Sequence, residues 1–327
     1  NNRYGLIMGT YKEIRGTHIV SVTSDPPSPV NGQMWYNSTD KVIKGFTSNP
    51  AGAWATGTSV NTARQLVGEA GSQTQALLFG GQPNPAKTET ESWNGTSWTE
   101  VNDLNVGRNG LGSAGTYTSA LGFGGEPGTV NNESWNGTSW TEVANINANK
   151  QNAGSCGADN TSALFFGGTP NITTNEVWNG SSWTEVADLN TGRSFGAGSG
   201  IATAALYSSG YVPPSNVANN ESWNGSSWTE VADVNTARRI LSASAQGTNT
   251  DTVVFGGYTT THVAVTEVWN GSSFSEITDL STARYGGGGH GNSSAAMLST
   301  GQASPGDVTA MEQLDRPATN TVTFTVS

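Results

Sequence analysis

The chain has 327 residues and a formal net charge of −11, with charged residues making up only 12% of it. No basic cluster offsets that charge, so the field repels nucleic acid and anionic membrane surfaces. The lone cysteine, Cys156, excludes an intrachain disulfide framework, while 43 glycines and 11 tryptophans point to an all-β chain with many turns.

The opening residues, Asn1 to Arg15, lack the apolar core of a secretory leader, and no stretch reaches the length of a membrane span. Membrane insertion is not expected. Asn1 is not Met, so the expectation is either a trimmed chain or Met8 as the natural start. The segment SDPPSPVNGQMWYNSTDKVIKGF runs from Ser24 to Phe46. Pro26, Pro27 and Pro29 predict a stiff, extended lead-in rather than a central strand. Met34–Phe46 predicts a hairpin with a polar Ser-Thr-Asp turn. None of residues 1–53 repeats, so the expected division is an N-terminal extension, 1–53, and a repeat domain, 54–327.

From Trp54 onward the chain repeats with a period of about 44 residues. ESWNGTSWTEV occurs at Glu91–Val101 and Glu133–Val143, then EVWNGSSWTEV at Glu176–Val186, ESWNGSSWTEV at Glu221–Val231 and EVWNGSSFSEI at Glu267–Ile277. A cation follows ten positions after the second aromatic, at Arg108, Lys150, Arg193, Arg238 and Arg284, and Trp54 to Arg64 has the same spacing. A second landmark is an apolar run ending in Gly-Gly, as in ALLFGG (Ala76–Gly81) and ALFFGG (Ala163–Gly168). It is degraded in AALYSSG (Ala204–Gly210) and AAMLSTG (Ala295–Gly301). Each unit predicts four short strands, the first made of small residues that suit a crowded axis. Asn-Gly between the paired aromatics predicts a hairpin with positive φ at both positions. The flanking aromatics predict a cross-strand pair.

The order of apolar run, Gly-Gly, variable segment, aromatic, Trp and Arg resembles the kelch motif. That resemblance implies an all-β fold: a six-bladed kelch-like β-propeller with four antiparallel strands per blade and a short N-terminal extension. The first aromatic is Trp where kelch more often has Tyr, and units four and six each lack one glycine, so blades four and six should be irregular. The strand near Trp54 is expected to complete the last blade, with the C-terminal strand Asn320–Ser327 beside it or leaving the ring. The Pro-rich lead before GQMWYN resembles short modules near the N-termini of phage tail-fibre and other virion proteins.

Catalytic readings find little material. Galactose oxidase, a kelch enzyme, needs two His, two Tyr and a cross-linked Cys, whereas this chain has only His18, His262 and His290. Cys156 and His290 occupy matching positions in units three and six, across the expected channel, and read as packed inner-strand residues. The six cations form a ring rather than the asymmetric arginine triad of sialidases. Pairing with the repeated acids Glu91, Glu133, Glu176, Glu221, Glu267 and Glu312 is the main expectation, with anion binding as the alternative. Asn94, Asn136, Asn179, Asn224 and Asn270 fit glycosylation acceptors formally, but turn chemistry already accounts for Asn-Gly. No enzyme activity, metal or cofactor is expected.

Loops after strands two and four share one face of such a fold, and those after strands one and three share the other. The second face carries near-invariant turns. The first carries segments that differ in every unit, and divergent loops are where recognition resides. Candidate contacts are Pro83, Asn84, Pro85 and Lys87 in 82–90, Tyr211, Pro213, Pro214 and Asn216 in 211–220, and Tyr258 and His262 in 258–266, with exposed aromatics stacking on a partner. The expected function is a non-enzymatic, virion or tail-fibre-associated propeller. Its partner would be a host surface glycan or protein, or another virion protein, with the N-terminal segment as the route to a homo-oligomer. The alternative is a secreted bacterial carbohydrate-binding or adhesive propeller located outside the cell.

Overall fold

The computed structural model describes residues 19–26, 33–47, 51–316 and 320–324. All regular structure among them is β, arranged as seven four-stranded sheets. The chain divides into one unit of Asn1–Pro50 with Pro317–Ser327 and a second of Ala51–Arg316. The boundary expected between 53 and 54 thus falls three residues earlier. Residues 317–327 group with the first unit because the strand Asn320–Phe324 pairs antiparallel with Val42–Thr47.

In the first unit, Met34–Asn37 and Val42–Thr47 form the expected hairpin, and Val20–Val22 adds a parallel strand beside Met34–Asn37. One carboxylate organises it. Asp25 Oδ1 accepts from Trp35 Nε1 at 3.0 Å and Asn37 Nδ2 at 2.9 Å, and the carboxylate pairs with Lys44 Nζ at 2.9 Å. These bonds, that from Asn37 first, lower the Asp25 pKa to about 2. Pro27 and Pro29 lie outside the described residues.

The second unit holds six sheets in which every pairing is antiparallel, a propeller-like arrangement. Sheet two is representative: Gly112–Thr116, Ser119–Phe123, Asn132–Trp135 and Trp140–Val143 in spatial order. Sheet six is Gly288–Gly291, Ala295–Ser299, Met311–Asp315 and then Ala53–Thr56, so the N-terminal strand completes the last sheet as expected. The innermost strands begin at Gly68, Gly112, Gly154, Ala197, Ser242 and Gly288, and each neighbours the next, the sixth neighbouring the first.

Small residues are needed there for two separate reasons. A Cβ on Gly112 would lie 2.3 Å from the Phe123 ring, and one on Gly154 would lie 2.2 Å from that of Phe166. At the following position the inner strands crowd one another. A Cβ on Gly198 would meet the Ser155 backbone at 2.5 Å, and one on Gly289 the Ala243 carbonyl at 2.1 Å. Crowding between neighbouring inner strands therefore acts one residue later than the strand start, at Gly198 and Gly289 though not at Glu69 of sheet one, and the aromatic of the second strand dictates the glycine before it at Gly112 and Gly154.

Neighbouring sheets are joined by backbone hydrogen bonds that return to their origin after six steps. The N–H of Gly81 donates to the Arg108 carbonyl, Gly125 to Lys150, Gly168 to Arg193, Gly210 to Arg238, Gly257 to Arg284 and Gly301 to Arg64, at 2.7–3.0 Å. A second cycle links Gly110 to Leu66, Asn152 to Gly110, Phe195 to Asn152, Ile240 to Phe195, Gly286 to Ile240 and Leu66 to Gly286, at 2.7–3.1 Å. All six residues of that second cycle have φ between 53° and 66°. For Ile240, at 55°, this is a costly conformation that the two flanking bonds hold in place.

The hairpin between the paired aromatics differs from expectation. In the first copy only Gly95 has positive φ, at 96°, and Trp93 pairs directly with Trp98, so the loop has four residues. The Asn94 side-chain carbonyl accepts the N–H groups of Thr96 and Ser97, both at 2.9 Å, doing the work that a second left-handed residue would do in a two-residue turn. The expected aromatic pairs are present, with centroids 4.9–5.6 Å apart in five sheets.

Each repeat cation is fully buried and paired with the repeat acid of its own sheet. Arg108 Nη2 meets Glu133 Oε1 at 2.8 Å, and the same pairing recurs as Arg64–Glu91, Lys150–Glu176, Arg193–Glu221, Arg238–Glu267 and Arg284–Glu312. The guanidinium of Arg108 also donates to the carbonyls of Gly122, Gly124 and Asn131. Glu133 Oε2 accepts from the Asn105 backbone N–H at 2.8 Å and its side-chain amide at 2.7 Å. Burial lowers the pKa of Arg108, and Glu133 opposes that shift. Replacing Arg108 with Met strands Glu133 and should cost about 3–5 kcal/mol in urea unfolding. Among the described residues Lys150 reaches only the Phe165 and Thr174 carbonyls besides Glu176. Lys150→Arg, restoring the fork used in sheet two, should add about 0.5–1.5 kcal/mol.

Candidate functional site

The divergent segments begin just beyond the glycine pair. Their first residues, Gln82, Glu126, Thr169, Tyr211, Tyr258 and Gln302, bridge to the residues that follow the buried cations: Gln65, Asn109, Gln151, Ser194, Arg239 and Tyr285. In sheets one to three the three pairs are all non-aromatic. In sheets four to six they bring Tyr211, Arg239, Tyr258 and Tyr285 together.

The result is a ladder of rings and one cation. Arg239 Cζ lies 4.7 Å from the Tyr211 ring centroid and 5.0 Å from that of Tyr258. Tyr258 meets Tyr285 edge-on at 5.6 Å, and His262 stacks on Tyr285 at 5.1 Å with planes 11° apart. Asn216 bolts the ladder down. Its Nδ2 donates to the carbonyls of Tyr258 and Thr259, each at 3.1 Å, and its Oδ1 accepts from Arg239 Nη1 at 3.3 Å. The Tyr285 hydroxyl donates to Gln302 Oε1, and burial raises its pKa. His262 Nε2 is buried without a hydrogen-bond partner among the described residues.

Four of the expected contact residues, Tyr211, Asn216, Tyr258 and His262, thus meet in one cluster. They are half-buried rather than exposed, because the rings pack on each other and on Arg239. Pro83, Asn84 and Pro85 are exposed in sheet one, and Lys87, 3.7 Å from Glu89, belongs to the same loop. No described contact joins that loop to the ladder. Segment 211–220 is not a loop. Ala204–Val212 and Ser215–Trp223 form a hairpin of two nine-residue strands with a register shift between Ser208 and Gly210. Pro213 and Pro214 occupy its two turn positions, where no ladder N–H is required.

Arg239 and Tyr285 escaped the sequence reading. Their signal was available: the position after the repeat cation reads Gln, Asn, Gln, Ser, Arg and Tyr, diverging as the loops do.

Cys156 and His290 are both buried on inner strands, as expected. His290 lies between the Ala70 carbonyl, 3.2 Å from Nδ1, and Ser299 Oγ, 3.0 Å from Nε2. Cys156 packs with Leu164 and Trp228, and burial pushes its thiol well above the usual range. Among the described residues no group of three His, Cys, Asp or Glu side chains forms a metal-ligand set, and His18 lies outside them. Neither family models nor curated protein sequences match this chain.

Burial lowers the His290 pKa from 6.5 to about 4. Between those values the unfolded chain binds the extra proton, so native stability is complete above pH 6.5 and falls as pH drops toward 4, by about 3 kcal/mol from this residue. Urea unfolding of His290→Gln beside the unsubstituted chain at pH 7, 5.5 and 4 should show the two curves converging as pH falls. A constant difference across that window would refute the assignment.

Proposed function

We propose that this chain is a six-bladed, kelch-like β-propeller serving as a non-enzymatic recognition module of a virion or tail fibre. It binds a host surface glycan or protein, or a neighbouring virion protein, through its divergent face. The observation that carries the reading is the Tyr211–Arg239–Tyr258–His262–Tyr285 ladder. A scaffold of six near-equivalent sheets has no need of it, since sheets one to three are built without any counterpart. Half-buried, pre-packed rings lose little side-chain freedom on binding and offer flat apolar faces, while Arg239 and the ring hydroxyls supply polar edges. The two hydrogen-bond cycles support six blades. The virion setting rests on the GQMWYN segment, whose Trp35 and Asn37 are fastened to Asp25.

The test measures binding of the full chain to a glycan array and to host cells, together with its melting temperature. Tyr258→Ala should weaken binding about thirtyfold or more, as aromatic hot spots do, and leave a folded protein. Asn136→Ala, on the opposite face, should leave affinity unchanged. The reverse pattern would place recognition on the Asn-Gly turns.

A further inference from the structure

Beside the second hydrogen-bond cycle, five inner strands and Gly286–Gly287 before the sixth line a funnel of about 100 Å³. Its wall is not six-fold. Gly68 is backed by the Phe79 ring and Ala70 is buried in the core, so Glu69 between them faces the lumen, which it lines. The equivalent positions in the next sheets are Ser113, Ser155, Gly198 and Ala243, all lining residues. Glu69 is the one ionisable side chain among the described lining residues, and no hydrogen bond or ion pair to another described residue satisfies it. Ser155 Oγ accepts the Ser113 N–H at 2.9 Å and retains a second acceptor position. Toward the mouth stand Leu66, Phe195 and Ile240, each half-buried with its backbone in the cycle.

We propose that this funnel binds a primary alkylammonium group, with Glu69 as its counter-ion, Ser113 and Ser155 as further acceptors, and the alkyl chain against Leu66, Phe195 and Ile240. The match is one of donor count. An ammonium has three N–H donors, and this wall offers one carboxyl and two hydroxyls side by side. A guanidinium has five donors in a planar fork and would leave some unpaired in a narrow lumen. A neutral alcohol supplies one donor where an ammonium supplies three and carries no charge that would draw the proton off the carboxyl.

The empty site holds Glu69 as the acid at neutral pH. Protein on all sides of the lumen displaces solvent and raises its pKa to about 8, although by surface area the side chain is only half-buried. Among the described residues no other ionisable side chain lines the cavity; the adjoining inner strands place Ser113 and Gly289 at this level, and His290, on one of them, is turned to the Ala70 carbonyl and Ser299. Entry of an alkylammonium therefore displaces the carboxyl proton to buffer, leaving a carboxylate–ammonium pair. Affinity should rise about tenfold per pH unit below pH 8 and level off above it, with the ligand still charged.

The site does not depend on what the outer ladder binds. Isothermal titration of the full chain uses n-butylammonium, n-butanol and a lysine-containing peptide between pH 6 and 9, each in two buffers of different ionisation enthalpy. Expected are butylammonium binding that strengthens with pH, release approaching one proton at pH 6, no butanol binding, and loss of more than tenfold in Glu69→Gln. Tyr258→Ala should leave these values unchanged. Binding of the small amine alone points to a free amine; binding of the peptide as well points to a partner's lysine side chain. The proposal falls if neither amine binds at pH 9, if butanol binds as well, or if Glu69→Gln binds unchanged. Proton release by the unsubstituted chain decides the matter should that variant fail to fold.

Discussion

The buried cation is the joint on which the repeat domain turns. Its side chain is fixed within its own sheet, where Arg108 pairs with Glu133 and spans the carbonyls of the second and third strands. Its backbone carbonyl faces the other way and accepts the glycine N–H of the preceding sheet. One residue thus ties the interior of a sheet to the interface before it. A buried ion pair contributes little net stability compared with an apolar pair of the same shape, because both charges are desolvated. What it supplies here is register. Misplacing the strand would strand a guanidinium and a carboxylate at once, so the cost of error is high even where the gain from success is small.

The same carbonyl explains the two copies that lack a glycine. In four sheets a Cβ on the first glycine of the pair would come within 2.6–2.8 Å of the next cation's carbonyl oxygen, as at Gly80 against Arg108. Sheets four and six place Ser209 and Thr300 there, with φ of 60° and 56°. The close approach becomes a bond: Ser209 Oγ donates to the Arg238 carbonyl and Thr300 Oγ1 to that of Arg64, both at 2.6 Å. The hydroxyl then accepts the cation's own N–H, at 3.1 and 3.0 Å. What looks like decay of a motif is a second solution to the same steric problem, and it suits only small hydroxylated residues.

Much of this was legible because six copies in one chain can be compared with one another. Strand order, the aromatic pairs, the cation–acid pairing and the strand at Ala53–Thr56 follow from spacing and pattern. Features set by distant groups were not legible. Nothing local in Asn-Gly-Thr-Ser says that the asparagine side chain, rather than its backbone, completes the turn. Nothing in YVPPSNVANN distinguishes a loop from a hairpin until the pairing of Val212 with Ser215 is known. The ladder was half-visible: Tyr211, Asn216, Tyr258 and His262 stood out within divergent segments, whereas Arg239 was hidden beside Arg238, whose repeated role drew attention away from its neighbour. The residues of 82–90 stood out for the same compositional reasons, yet no described contact brings them to the ladder.

A repeat domain of this kind faces a conflict between equivalent joints and divergent side chains. Six near-equivalent sheets share one set of joints, whereas the Tyr211–Arg239–Tyr258–Tyr285 ladder is confined to sheets four to six. The chain resolves the conflict by position. Residues whose side chains or carbonyls form the joints, such as the cations and their acids, recur in all six sheets, with Lys150 standing for arginine in one. Variation is confined to positions whose backbone performs the structural task while the side chain is released from it. The residue after the cation bonds through its backbone in all six sheets, so its side chain is free to be Gln, Ser, Arg or Tyr. Glu69 shows the same logic at the lumen, where its strand pairs through backbone groups with Leu78 on one side. Asymmetry of chemistry can therefore accumulate on the divergent face and in the funnel without loosening the hydrogen-bond cycles beneath them.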